Sequence, residues 1–227
     1  MADSTEKRIT EEYFQTKIRP RITDKDRKIF RFIYSQRIVT SEQIYQLFYR
    51  SNKSKRTCNH RLKVLENLYC IKKFYPKTRN AGKSYAHIVL NRAGYRELGV
   101  DKYYRYKELP ISYNHYILVN DFCMYAYRKG WRWGKLEFEL NTCITDIWYP
   151  SKKIAVEIDT GSESRNLLDK KVKKYNSLNN LRLIIFISNN IDRSNYFIDK
   201  IYSVKGKIAT VFDEQNDIID IVTDRLY

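Results

Sequence analysis

The sequence predicts an α+β protein in two parts: an N-terminal winged helix, then a mixed β-sheet flanked by helices. Three observations predict it. Residues 23–68 carry three apolar runs at helical spacing, and two short strand-like runs joined by a basic loop follow them. Residues 131–159 read as consecutive antiparallel strands, whereas LRLIIFIS at 181–188 is continuously apolar, as a strand covered on both faces requires. Charge divides the chain at the same place. Residues 1–110 hold 26 basic and 11 acidic side chains, while 111–227 hold 17 and 15.

The boundaries follow from these runs. Residues 1–21 form an N-terminal extension, 22–98 the winged helix, 99–110 a polar and aromatic linker, and 111–227 the second domain. Within the first domain, Thr23 to Arg37 places Ile29, Phe30, Ile33 and Tyr34 on one side, with Asp24 and Asp26 where a helix N-terminus favours acids. Thr40 and Ser41 offer N-caps for a short helix whose inner face is Ile44, Leu47 and Phe48. Ser51 and Ser54 open a third helix, Lys55 to Leu68, with Cys58, Leu62, Leu65 and Tyr69 as its buried stripe.

The opposite face of that third helix carries Arg56, Asn59, His60, Lys63 and Asn67. Arginine and lysine reach phosphates or guanine edges, and asparagine suits adenine. The bland alternative is a solvated helix face. The strands IKKFY and SYAHIVL that follow enclose PKTRNAGK, which puts Lys77, Arg79 and Lys83 at a hairpin tip. Helix three would lie in a major groove and the wing would touch the backbone. A polycationic half of this kind attracts phosphate backbones by counterion release, so the expected partner is double-stranded DNA. The string AGKS resembles the tail of a phosphate-binding loop, but the glycine required five positions before Gly82 is Lys77. NRAGYREL closes the domain as a short helix.

The second domain opens with a helix, Tyr113 to Lys129, whose apolar face is Ile117, Val119, Phe122 and Tyr125 and which Gly130 ends. Strands WRWGKLEFEL, NTCITDIWY and KKIAVEID follow, the last two joined across Pro150 and Ser151. A helix from Ser164 to Leu178, the LRLIIFIS strand, a helix from Ser194 to Ser203 and a KIATVFD strand complete it. The order α-β-β-β-α-β-α-β gives a mixed sheet.

Chemistry enters at the hairpin. Pairing Tyr149 with Lys153 or Ile154 sets Asp146 opposite Val156 or Glu157. Strand alternation puts Ala155, Glu157 and Asp159 on one side, so Asp146, Glu157 and Asp159 are expected to converge. Such acids repel unless a cation lies between them, and carboxylate oxygens suit Mg²⁺ or Mn²⁺. For any single acid, a solvent-facing polar strand face is the alternative. On the next helix Leu168, Val172 and Tyr175 define the inward stripe, and Lys171 falls on it. A lysine there needs a counter-charge, which the acids supply, or it snorkels past the core edge.

An acid on one strand followed by Glu-x-acid on the next resembles the PD-(D/E)xK restriction-endonuclease-like superfamily. The chain is more closely similar to the replication-relaxation family of bacterial plasmids, which couples a winged helix to such a domain. The matching residues are His115, Asn120 and Asp121 in HYILVNDF, then Asp146, then Glu157, Asp159, Gly161 and Glu163 in EIDTGSES, then Lys171 and Tyr175. The likeness spans about residues 22–215. It implies metal-dependent phosphodiester cleavage, a DNA nickase or endonuclease. Asp146, Glu157 and Asp159 would hold the metal and Lys171 would orient the attacking water, with His115 and Asp121 flanking the site. Asp159 stands where the superfamily pattern has lysine, so either Lys171 replaces that lysine or the site is inactive and the protein is a winged-helix accessory or regulator of replication.

Composition excludes other classes. No apolar run approaches the ~20 residues that span a bilayer, and MADSTEKRITEEY has no apolar signal core, so a cytoplasmic protein without a membrane partner is expected. Cys58, Cys70, Cys123 and Cys143 form no CxxC pair, which argues against a disulfide scaffold or zinc ribbon. Twenty tyrosines allow a tyrosine relaxase by count, but His60, His87 and His115 are isolated and form no metal-binding pair. Plasmid replication or transfer proteins, and a second copy of the chain, are conceivable partners.

Overall fold

The computed structural model describes residues 9–51, 54–75, 86–100, 113–141, 143–161, 164–179, 181–188, 192 and 208–212. The chain divides into two units, Met1–Ile111 and Ser112–Tyr227.

In the first unit, the N-terminal extension is helical from Glu11 onward. Thr10 caps a short helix α1 (Glu11–Tyr13), which continues through a wide turn at Phe14–Ile18 and a tight one at Arg19–Arg21. Phe14, Ile18 and Ile22 recur every fourth residue and are buried. Arg96 holds the segment down, donating to the carbonyls of Ile9 and Thr10 (both 3.2 Å) with its guanidinium 5.4 Å from the Phe14 ring centroid. The apolar period of four was the signal for this packing.

Helix α2 (Asp24–Gln36) starts at a capping box, in which Thr23 and Asp26 satisfy each other's backbone N–H groups. Strand β1 (Val39–Thr40) leads into α3 (Ser41–Phe48), where Thr40 and Gln43 repeat the device. Ser54 caps α4 (Lys55–Asn67). Strands β2 (Ile71–Phe74) and β3 (His87–Leu90) and helix α5 (Arg92–Glu97) follow. The three strands form an antiparallel sheet in the order β1-β3-β2, with Ile88 opposite both Val39 and Lys73. This is the element order of a winged helix. The core differs from the expected one at α3, where Ile44 is buried but Leu47 and Phe48 are half-buried, and after α4, which ends at Asn67 so that Tyr69 turns outward at φ +57° and Cys70 takes the buried place.

The second unit contains α6 (Tyr113–Arg128), β4 (Lys135–Leu140), β5 (Cys143–Tyr149), β6 (Ile154–Asp159), α7 (Arg165–Asn176), β7 (Leu183–Ser188) and β8 (Ile208–Phe212). The sheet order is β4-β5-β6-β7-β8, antiparallel up to β6 and parallel beyond it. Helix α6 covers one face, where Val119, Phe122, Cys123 and Ala126 meet Ile147, Tyr149, Val156, Ile158 and Ile185. Helix α7 covers the other, with Leu168, Val172 and Tyr175 against Trp148, Ala155, Ile184 and Phe186. Every position of β6 is buried, as a strand between two helical layers must be. The α6 stripe is rotated from the expected one. Tyr116, Cys123 and Ala126 are buried while Ile117 and Tyr125 are only half-buried, because the small Cys123 and Ala126 let the helix lie close to the sheet. The helix expected at 194–203 lies outside the described residues.

Candidate functional site

Two sets of side chains carry chemistry, one in each unit. In the first, burial of Cys58, Leu62 and Leu65 fixes the rotation of α4 and leaves Arg56, Asn59, His60 and Lys63 exposed together. Arg61, in the midst of these residues, has another task. Its Nε donates to Asp26 Oδ1 (3.0 Å), one Nη2–H contact reaches Asp26 Oδ2, and another reaches the Arg21 carbonyl (2.7 Å). Burial of Asp26 works against ionisation, but hydrogen bonds from Arg61 and Thr23 outweigh it and hold the carboxyl below its usual range. Lys55 pairs with Glu42 of α3. Helix α4 is thus fastened to α2 and α3 on its inner side while its outer face stays in water. Lys77, Arg79 and Lys83 lie outside the described residues.

In the second unit the hairpin takes the second of the two expected registers, Tyr149 opposite Ile154 and Ile147 opposite Val156. The ladder stops there, and β5 kinks. Across from the kink, Glu137 of β4 has φ +45°, and its flanking residues Leu136 and Phe138 pack against opposite faces of the sheet. Side chains replace the missing ladder bonds. Thr145 Oγ1 donates to the Val156 carbonyl (3.0 Å), and Asp146 Oδ2 accepts from the Ile158 N–H (2.7 Å). The kink also re-aims Asp146, whose Oδ1 lies 3.1 Å from Nε2 of His115 on α6. That hydrogen bond raises the His115 pKa above the ordinary imidazole value, against the opposing effect of burial.

Glu157 sits one step beyond the last β5–β6 pair, opposite Phe186 of β7, and turns toward α7. Lys171 Nζ donates to its Oε2 (3.0 Å), and the Tyr175 hydroxyl donates to its Oε1. The Lys171 placement read from helical phase is therefore the one observed. Burial and then the Asp146 charge push the Glu157 carboxyl up to about 8, with Lys171 and Tyr175 opposing them. Two accepting oxygens nevertheless give Glu157 the hydrogen-bond pattern of a carboxylate. Tyr175, four residues after Lys171 on the same face, was legible as core but not as a hydrogen-bond donor to Glu157. Its phenol is raised by burial and by Glu157.

Asp159 does not join the other two acids. Its Oδ1 accepts from the Gly161 N–H (3.0 Å) and its Oδ2 from the Ser188 hydroxyl (3.4 Å), so it closes the turn after β6. Among the described residues, no three His, Cys, Asp or Glu side chains are grouped to hold a metal ion. Alternation alone misses this, because Asp159 turns to the Gly161 N–H and the Ser188 hydroxyl while Asp146 stays an electrostatic neighbour of Glu157. A three-carboxylate site for Mg²⁺ or Mn²⁺ does not fit this arrangement. Asp146 and Glu157 remain as neighbouring oxygen donors, with His115 beside the first and Lys171 beside the second.

A family model described as replication-relaxation matches residues 30–182. The chain belongs to the replication-relaxation family. The matched span runs from within α2 to the residue before β7 and includes both the α4 face and the Asp146–Glu157–Lys171 group. Membership ties the chain to a replication-related function. No curated protein and no solved structure matches the chain. No helix among the described residues is long and apolar enough to cross a membrane.

Proposed function

We propose that this replication-relaxation protein binds duplex DNA through the outer face of α4 and acts during replication or relaxation of plasmid or mobile-element DNA. One observation carries the reading. A helix capped by Ser54 and locked from behind by Arg61 presents Arg56, Asn59, His60 and Lys63 together to solvent. Arg56 and Lys63 supply phosphate or guanine contacts, and Asn59 supplies an adenine-type contact. The test is a salt titration of duplex binding. Arg56→Ala and Lys63→Ala should each weaken binding and lower the slope of log K against log salt by about 1. Wild-type affinity and slope in both variants would refute α4 as the reader.

Phosphodiester cleavage is a second reading, favoured by the mutual repulsion of Asp146 and Glu157 beside Lys171. Held by those two carboxylates, Mg²⁺ or Mn²⁺ would supply an activated water and offset charge on the phosphorane. The chain's own part is to hold Glu157 in place through Lys171 and Tyr175, and Asp146 through His115 and the Ile158 N–H. The measurement is nicking of supercoiled plasmid with and without Mn²⁺. Nicking that survives Asp146→Ala with Glu157→Ala, or that never occurs in wild type, removes this reading and leaves duplex binding intact.

A further inference from the structure

The segment joining α6 to β4 carries a feature that duplex reading does not use. Its sequence from Tyr127 to Lys135 is YRKGWRWGK, with Arg128, Lys129, Arg132 and Lys135 and no acid. The unit around it is nearly neutral, so this is a local concentration of positive charge. Tyr127 and Trp133 stack within it, their ring centroids 4.7 Å apart and their planes 14° from parallel. They remain 48% and 36% exposed. Other rings are exposed as well, Tyr13, Tyr69 and Tyr75 among them, but Tyr127 and Trp133 are stacked on one another within a cluster of cations and beside the buried Trp131.

The geometry of the segment is fixed. Gly130, at φ +84°, ends α6 in a Schellman turn, with its N–H on the Tyr127 carbonyl (3.0 Å) and the Trp131 N–H on the Ala126 carbonyl (2.9 Å). Trp131 is buried edge-on against Tyr149, 5.0 Å between centroids. Gly134 passes so close to β5 that a Cβ would lie 2.3 Å from Ile147 Cγ2. Both ends of the aromatic pair are thereby anchored. Three cations are also oriented by rings, Lys129 over Tyr125 (5.6 Å), Lys135 over Phe138 (4.9 Å) and Lys152 over Trp131 (4.9 Å). Little ordering entropy remains to be lost on binding.

We propose that the Tyr127–Trp133 pair and its surrounding cations form a stacking platform for an unpaired DNA strand. Exposed rings accept bases of any sequence by stacking, and cations that track the backbone complete the recognition. Duplex bases, already stacked on one another, offer no face to such a platform, so this surface separates strand states rather than sequences. On α6, Tyr127 lies twelve residues from His115, roughly 18 Å along the helix at ~1.5 Å per residue.

The test compares a labelled oligo-dT of about 15 nucleotides with a duplex, using the full chain and fluorescence anisotropy. Tyr127→Ala and Trp133→Ala should each weaken oligo-dT binding about tenfold, the scale of one base–aromatic stack. Trp133→Phe should retain most of the affinity, and duplex affinity should stay within about twofold of wild type in all three. Arg132→Glu, a change at an exposed side chain, should weaken oligo-dT binding even if an alanine variant fails to fold. Overturning results are a wild-type chain that does not bind oligo-dT, ring variants that bind it normally, or ring variants that lose duplex and oligo-dT in equal measure. The Arg56→Ala and Lys63→Ala variants, which alter only α4, keep failure of the duplex reading separate from failure of this one.

Discussion

Lys171→Met tests the arrangement around Glu157 most directly. The lysine side chain is 30% exposed and its Nζ lies 3.0 Å from a carboxylate that is 3% exposed. Removing one partner of a buried pair costs about 3–5 kcal/mol when the other charge is left behind. Water reaches Lys171 and screens the pair, so the cost falls below that scale, at about 2–3 kcal/mol. For a chain of this size each kcal/mol moves Tm by roughly 2–4 °C, giving a fall of about 4–12 °C. The size should depend on pH. Glu157 has a folded pKa raised from 4.5 to about 8, so it binds more protons folded than unfolded between those values, and its contribution to stability falls as pH rises through that window. A protonated Glu157 tolerates loss of the lysine better than an ionised one. The deficit should therefore be larger at a pH about one unit above 8 than two units below it, and Glu157→Gln added to Lys171→Met should recover part of it. Thermal melts by circular dichroism at the two pH values are the assay. Equal Tm for Lys171→Met and wild type at the higher pH would refute the claim that this pair carries net stabilisation.

Three further outcomes follow from the same geometry. His115 has a folded pKa above 6.5, so its pairing with Asp146 stabilises fully below 6.5 and is lost as pH rises through the folded value; His115→Asn should flatten that part of the stability–pH curve. Asp146→Asn removes the second-largest cause of the raised Glu157 pKa, so the Glu157 carboxyl followed by NMR should titrate lower than in wild type. Asp26 has a folded pKa below 3.8, so its stabilisation is present above 3.8 and lost as pH falls through the lower folded value; Asp26→Asn should lower Tm at neutral pH and lose that acid dependence.

The local signals in the sequence carry most of the architecture. Thr23, Thr40, Ser54 and Ser164 each cap the helix that starts after them, because a side-chain oxygen followed by an apolar period leaves few other uses for the residue. The apolar LRLIIFIS run is the parallel strand β7 for the same local reason. Lys171 was legible because helical phase is set by its nearest neighbours. What the sequence hid is non-local. The kink at Asp146 comes from the meeting of three strands, with Glu137 opposite, and no pattern within NTCITDIWY announces it. Strict alternation therefore counted Asp159 with Asp146 and Glu157, although its oxygens accept from the Gly161 N–H and the Ser188 hydroxyl. The α1 segment was hidden by its charged residues, which dilute three apolar positions spaced four apart.

That α1 segment bears on how the first unit can be handled. The family match begins at residue 30, which invites trimming the chain back to the matched span. Phe14 and Ile18 fill a slot roofed by Arg96, and excising them would open a greasy trench in the surface. A shortened chain would tend to clump, and any property of α4 measured on it would report that damage.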